Sequence, residues 1–151
     1  MKKKILTILT AVLISAGISG CSNKNTVEPD TAKIRDDIIE AIEFPEMVNA
    51  TKDNISFMYG LDSDEFESFA CSYAGSGGDA DEITVIKVKE ESDASDVKTA
   101  LEKRIDSQKN AYEGYAPIEF EQLEKAVVKT NGRYIFLAVS EDTERRKRFS
   151  T

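Results

Sequence analysis

The sequence contains no histidine and no tryptophan, and only two cysteines, Cys21 and Cys71, in 151 residues. Without histidine, the commonest base for activating a serine or cysteine nucleophile is missing, and so is the commonest ligand of transition metals. One or two thiols cannot build a thiolate cluster, so zinc chemistry has no ligand set. Positive charge is scarce as well: 20 Lys and Arg face 28 Asp and Glu. Three of those cations, Lys2, Lys3 and Lys4, sit at the very start, and the chain beyond residue 20 carries 17 basic and 28 acidic side chains, a net charge of −11. Such a field repels phosphate backbones, which argues against a nucleic-acid partner.

A long hydrophobic run is also missing. The apolar stretch Ile5–Ile18 falls short of the roughly 20 residues that span a bilayer. With Met1–Lys4 as a positive leader and Ile18-Ser19-Gly20-Cys21 as its close, it reads instead as a bacterial lipoprotein signal. Residues 1–20 are then a signal peptide, and Cys21 becomes the lipid-carrying N-terminus on the extracytoplasmic face of the cell membrane. Residues 21–30, rich in Ser, Asn, Lys, Thr, Glu and Pro, cannot bury enough apolar surface to order themselves and read as a flexible tether. Lipid on Cys21 leaves Cys71 without a partner in the chain, and a lone thiol in an exported domain is expected to be buried as a small hydrophobe.

Residues 31–142 form the expected globular domain. Ile34, Ile38, Ala41 and Ile42 recur at helical spacing from Thr31 to Phe44, with Asp30 or Thr31 as the cap and Pro45 as the stop. Phe69, Cys71 and Tyr73 alternate with Ser68, Ala70 and Ser72 as a strand. Glu82–Lys89 is a β-branched run, and Gly75-Ser76-Gly77-Gly78 joins the two as a hairpin loop. A phosphate cradle would need a helix directly after those glycines; a strand follows instead. Asp93–Glu113 is the clearest helix, with Val97, Leu101, Arg104, Ile105, Gln108 and Tyr112 along one face, and Pro117 opens a shorter helix to Lys125. Asn131-Gly132 predicts a type I′ hairpin, with Thr130 opposite Arg133, Val128 opposite Ile135 and Ala126 opposite Leu137. That register puts Ala126, Val128, Ile135, Leu137 and Val139 on the core side and Tyr134 and Phe136 on a half-covered outer face.

The fold class that follows is α/β of the α+β kind. It is a two-layer sandwich, with an antiparallel sheet of about four or five strands from two hairpins and about three helices packed on one face. Residues 143–151, with Arg145-Arg146-Lys147-Arg148 and Phe149, form a basic tail that either stays solvated or touches an anionic surface.

Function is less legible. No nucleophile–base pair, metal set or cofactor motif stands out. The reading is a membrane-anchored, noncatalytic binding or cell-envelope accessory module, whose partner is an unidentified envelope protein or ligand. Its candidate contact residues are Arg104, Gln108, Tyr112 and Tyr115 on and after the long helix, and Tyr134 and Phe136 on the outer face. The alternative is a cell-wall polymer hydrolase with two carboxylates about 5 to 9 Å apart, one with a raised pKa. Calcium sites around Asp62, Asp64 and Glu65, or Asp79, Asp81 and Glu82, lack the loop spacing and glycine of an EF-hand.

Several features taken together resemble a known family: Ala80-Asp81-Glu82-Ile83-Thr84-Val85, then Ala94, Val97, Leu101, Arg104, Gln108 and Tyr112, then Tyr115-Ala116-Pro117 and Glu119, then Gly132-Arg133-Tyr134 before an apolar strand. This pattern is similar to a family of small lipoproteins from Gram-positive anaerobes known only as a domain of unknown function. The resemblance covers most of residues 31–142 and implies a surface lipoprotein, without substrate, cofactor or reaction. If Cys21 is the acylated residue, labelled palmitate will appear on the protein in its host and vanish in Cys21→Ala; persistent labelling of that variant would refute the assignment.

Overall fold

The computed structural model describes residues 28–42 and 44–141. The expected signal peptide, Cys21 and the expected tether as far as residue 27, and the basic tail 143–151, lie outside the described residues. In chain order the elements are α1 (Thr31–Ala41), β1 (Met47–Asn49), α2 (Lys52–Tyr59), β2 (Ser68–Ala74), β3 (Glu82–Lys87), α3 (Ala94–Tyr112), α4 (Pro117–Glu124), β4 (Val127–Asn131) and β5 (Tyr134–Val139). The five strands form one antiparallel sheet in the order β1-β2-β3-β5-β4, with the four helices packed against it. Both expected hairpins are present, joined through the β3–β5 pairing. The edge strand β1 was not expected from sequence, because three residues are too few to show a period of two.

β3 lies at the centre, and all six of its residues are buried. Thr84 and Ile86 face the same side as Phe69 and Cys71 of β2 and Ile135 and Leu137 of β5. Val97, Leu101 and Ile105 of α3, Ile55 and Tyr59 of α2 and Leu123 of α4 close this main core. Ile83 and Val85 point to the opposite face, which α1 crosses against β2 and β3. Thr31 is buried there, and its hydroxyl meets that of Ser68 at 3.5 Å. The long amphipathic helices α1 and α3, expected together on one side, therefore lie on opposite sides. The reason is in β3 itself, whose nearly continuous apolar run needs cover on both faces. α1 is capped by the Asp30 carboxylate, which accepts from the N–H groups of Ala32 and Lys33. It stops at Ala41, short of Phe44, a residue that Pro45 disfavours in helical geometry.

The β4–β5 hairpin turns on Gly132-Arg133 rather than Asn131-Gly132, so Asn131 pairs with Tyr134, Thr130 with Ile135 and Val128 with Leu137. Gly132, at φ +55°, supplies the positive angle at the first turn position, and the Arg133 carbonyl accepts from the Val88 N–H at 2.9 Å, extending the β3–β5 ladder. The register is displaced by two residues, which leaves every side chain on its expected face.

Cys71 is 1% exposed, as its sequence setting predicts, with its Sγ 3.7 Å from the Tyr59 hydroxyl. Burial and the neighbouring Glu82 push its thiol up from 9.0 to about 11. Burial also raises the Tyr59 phenol well above its usual value. Between about pH 9 and 11 the unfolded chain loses the thiol proton while the folded chain keeps it, so this contribution to stability is full below 9 and lost as pH rises through 11. Two outcomes follow: thiol modification near pH 8 about a hundredfold slower in the folded than in the urea-unfolded protein, and an unfolding midpoint that falls above about pH 9. Equal modification rates would contradict this burial.

Candidate functional site

The most developed polar arrangement begins at the first residue of β3. Glu82 is 1% exposed and opens an apolar strand, so its carboxylate must find donors within the protein. α2 supplies one. A capping box between Thr51 and Asn54 starts that helix and Gly60, at φ +68°, ends it, which sets Tyr59 on the sheet. The Tyr59 hydroxyl donates to Glu82 Oε1 at 2.5 Å and lies 2.6 Å from the Thr84 hydroxyl. α3 supplies the rest. Arg104, Gln108 and Tyr112 recur every four residues and so share one stripe. Arg104 donates to Glu82 Oε2 through Nε at 3.2 Å and Nη2 at 3.1 Å, and Gln108 Nε2 donates to the same oxygen at 3.4 Å.

One turn further, the Tyr112 hydroxyl points to the carbonyls of Asp79 at 3.2 Å and Gly77 at 3.5 Å, tying the glycine-rich loop to α3. Burial, with Glu119 and Asp79 nearby, raises that phenol's pKa. Between loop and helix lies a cleft of about 270 Å³, lined by Tyr73, Asp79, Asp81, Glu82, Arg104, Gln108 and Tyr112 among others. Three of the six sequence-predicted contact residues, Arg104, Gln108 and Tyr112, thus meet in one place. Tyr115 does not join them and stands 79% exposed beyond the helix.

Tyr134 and Phe136 lie on the α1 side of the sheet. Their rings stack at 6.5 Å and 24° beside a cavity of about 590 Å³ that also touches Glu28, Pro29, Ile34 and Arg133. The surface expected to be half open is partly closed by the chain ahead of α1. The Tyr134 hydroxyl donates to the Pro29 carbonyl at 2.8 Å. The Glu28 carboxylate pairs with Lys87 at 2.6 Å and with Arg133, and Glu67 pairs with the same two cations. Hydrogen bonds from Arg133 and Lys87 hold the Glu28 carboxyl down to about 2.

Glu82 and Tyr59 were not singled out as a pair from sequence. A single acid at a strand end reads as solvated, and its phenol partner lies 23 residues away. The signal that pointed to the site was the placement of Arg104 and Gln108 on an otherwise apolar stripe. Asp81 is 4% exposed and also lines the cleft, accepting from the Glu141 N–H at 3.4 Å. Neighbours along an extended strand turn to opposite sides, so Asp81 and Glu82 diverge instead of flanking a common point. Among the described residues, no group of three or more Cys, Asp or Glu side chains is placed to hold a metal ion. The arrangement is a hydrogen-bonded ion pair beneath a small polar and aromatic cleft.

Residues 40–140 match the profile of a domain of unknown function, DUF4358. The chain belongs to that family. The matched span holds all five strands, α2 to α4 and the whole cleft, while most of α1 precedes it. No curated protein matches this DUF4358 chain, and no solved structure does.

In this DUF4358 domain, removing Arg104 leaves the buried Glu82 without its countercharge. Arg104→Ala is expected to lower the urea-unfolding free energy by about 3 kcal/mol, the low end for a broken buried pair because Tyr59 and Gln108 still donate. Lys103→Ala, on the exposed side of α3, will cost under about 0.5 kcal/mol. Equal effects of the two would remove the ion pair's structural role.

Proposed function

We propose that this chain is a bacterial lipoprotein, anchored through Cys21 on the extracytoplasmic face of the membrane of a Gram-positive anaerobe. It acts there as a noncatalytic binding module of the cell envelope. The observation that carries the binding role is the convergence of Arg104, Gln108 and Tyr112 with Glu82 on one cleft whose opposite wall is a glycine-rich loop. The side chains there are held before any ligand arrives, which lowers the entropic cost of recognition. Lipoprotein character is supported by the tripartite start ending in Ile18-Ser19-Gly20-Cys21. Among the described residues no helix is long and apolar enough to cross a membrane.

A hydrolase of cell-wall polymers is the second reading, favoured by two buried carboxylates, Asp81 and Glu82, at the same cleft. Their divergence along the strand and the saturation of Glu82 by Tyr59, Arg104 and Gln108 weigh against it. The two readings separate in intact cells carrying a photo-crosslinking residue at Gly77, where an added Cβ meets no atom within 4 Å. The binding reading expects a discrete adduct to another molecule from Gly77 and none from the same residue at Lys103. Identical patterns from both positions refute it, and cell-wall cleavage by the purified protein that disappears in Glu82→Gln establishes the hydrolase instead.

A further inference from the structure

The cavity of about 590 Å³ on the α1 side of the sheet is separate from the cleft at Glu82, and the two share no lining residue. Its volume falls within the range of about 300–1,000 Å³ typical of small-molecule sites. Three pieces of chain enclose it: Pro29 and Ile34 at the start of α1, Arg133, Tyr134 and Phe136 of the β4–β5 hairpin, and Glu90 and Glu91 after β3.

The lining is aromatic on the hairpin side. Tyr134 and Phe136 are two apart on β5, so they stand on one face, with their rings stacked at 6.5 Å. Tyr134 already holds a cation, the Lys87 ammonium, 5.8 Å from its ring centroid; among the described residues no cation lies over Phe136. A ring face attracts positive charge through its quadrupole.

The charge of the lining has the matching sign. Arg133 and Lys87 both pair with Glu28 and Glu67, so those four side chains balance one another. Glu90 and Glu91 stand outside that balance: both are exposed, and neither carboxylate has a hydrogen bond or ion pair among the described residues. Lys89, next to them in the chain, gives its ammonium to the Asp64 carbonyl. Lys129, opposite Phe136 across the ladder, does not line the cavity. Two uncompensated carboxylates thus share the cavity with two aromatic rings and the apolar side chains of Pro29 and Ile34.

We infer that this cavity is a second binding site and that its ligand is an organic cation, an ammonium or guanidinium group on an apolar or ring-shaped body. The body lies against Tyr134, Phe136 and Ile34, and the charge is met by Glu90 and Glu91. An anion is disfavoured, because to reach Arg133 or Lys87 it has to displace Glu28, a carboxylate held in place by its own chain. With no residue in common, this site stands or falls independently of the cleft.

The test is an amide NMR titration of isotope-labelled full-length protein in nonionic detergent near neutral pH. The probes are benzylamine, benzyl alcohol and benzoate, one ring in its cationic, neutral and anionic forms. Saturable shifts from benzylamine are expected at residues 90–91 and 132–136, with binding about fivefold tighter than that of benzyl alcohol, as a ring face and two carboxylates imply. Changing Glu90→Gln and Glu91→Gln together, both on the surface, should keep the spectrum of the folded protein and bring the amine down to the affinity of the alcohol. Phe136→Leu should weaken both probes. Equal affinity for amine and alcohol in the unaltered protein overturns the cationic ligand, as does an amine affinity unchanged by the double substitution. Tighter binding of benzoate assigns the cavity to Arg133 and also overturns it. Amine shifts centred on residues 77–79 place the probe in the cleft and remove this site, and so does the absence of any saturable shift.

Discussion

A carboxylate that is 1% exposed at the edge of an apolar core has to be given donors, and the way this protein supplies them organises its architecture. Glu82 stands at the head of the central strand. Its partners come from three separate elements: Tyr59 closing α2, Arg104 and Gln108 midway along α3, and Thr84 on the same strand through the Tyr59 hydroxyl. Each contact specifies a position that hydrophobic packing alone leaves loose. Tyr59, Arg104 and Gln108 thereby tie α2 and α3 to the head of β3, and Tyr112, one turn on, ties the glycine-rich loop to α3. The cleft is the space left over once those demands are met.

The opposite end of β3 has its own charged arrangement, and the contrast between the two is instructive. At Glu82 the pair is sunk in the core and faces α3, with Arg104 only partly open to solvent. At Lys87 a four-member cluster with Glu28, Glu67 and Arg133 lies on the other face, in reach of water. Exposed pairs of that kind contribute little individually to folding. Their effect is positional, since they bring Glu28 and Pro29 against the sheet beside α1.

How much of this was legible in the sequence varied with the range of the interaction. The hairpins were readable because glycine clusters and Asn131-Gly132 are local chemistry, acting within four residues. The same locality explains the two-residue register displacement: glycine fits more than one position of a tight turn, and the choice fell to the Val88 bond to Arg133, a contact between distant segments. The α3 stripe revealed Arg104, Gln108 and Tyr112 because helical spacing puts them on one side, whereas Glu82 and Tyr59 stayed hidden because no periodicity links a strand end to a helix end. The side taken by α1 was equally hidden. An amphipathic pattern says that a helix is covered on one side and leaves open which surface covers it. Tyr134 and Phe136 were located on the correct face, but that face also holds the chain before α1.

The clamp around Glu28 has a mechanical consequence. A pull on the chain ahead of Glu28 is transmitted first through its carboxylate to Lys87 on β3 and to Arg133 in the turn just before β5, two strands that lie side by side in the sheet. α1 enters the line of force only after those bonds and the Tyr134 contact to Pro29 have parted. A load applied ahead of Glu28 is thus divided between two central strands before it reaches α1.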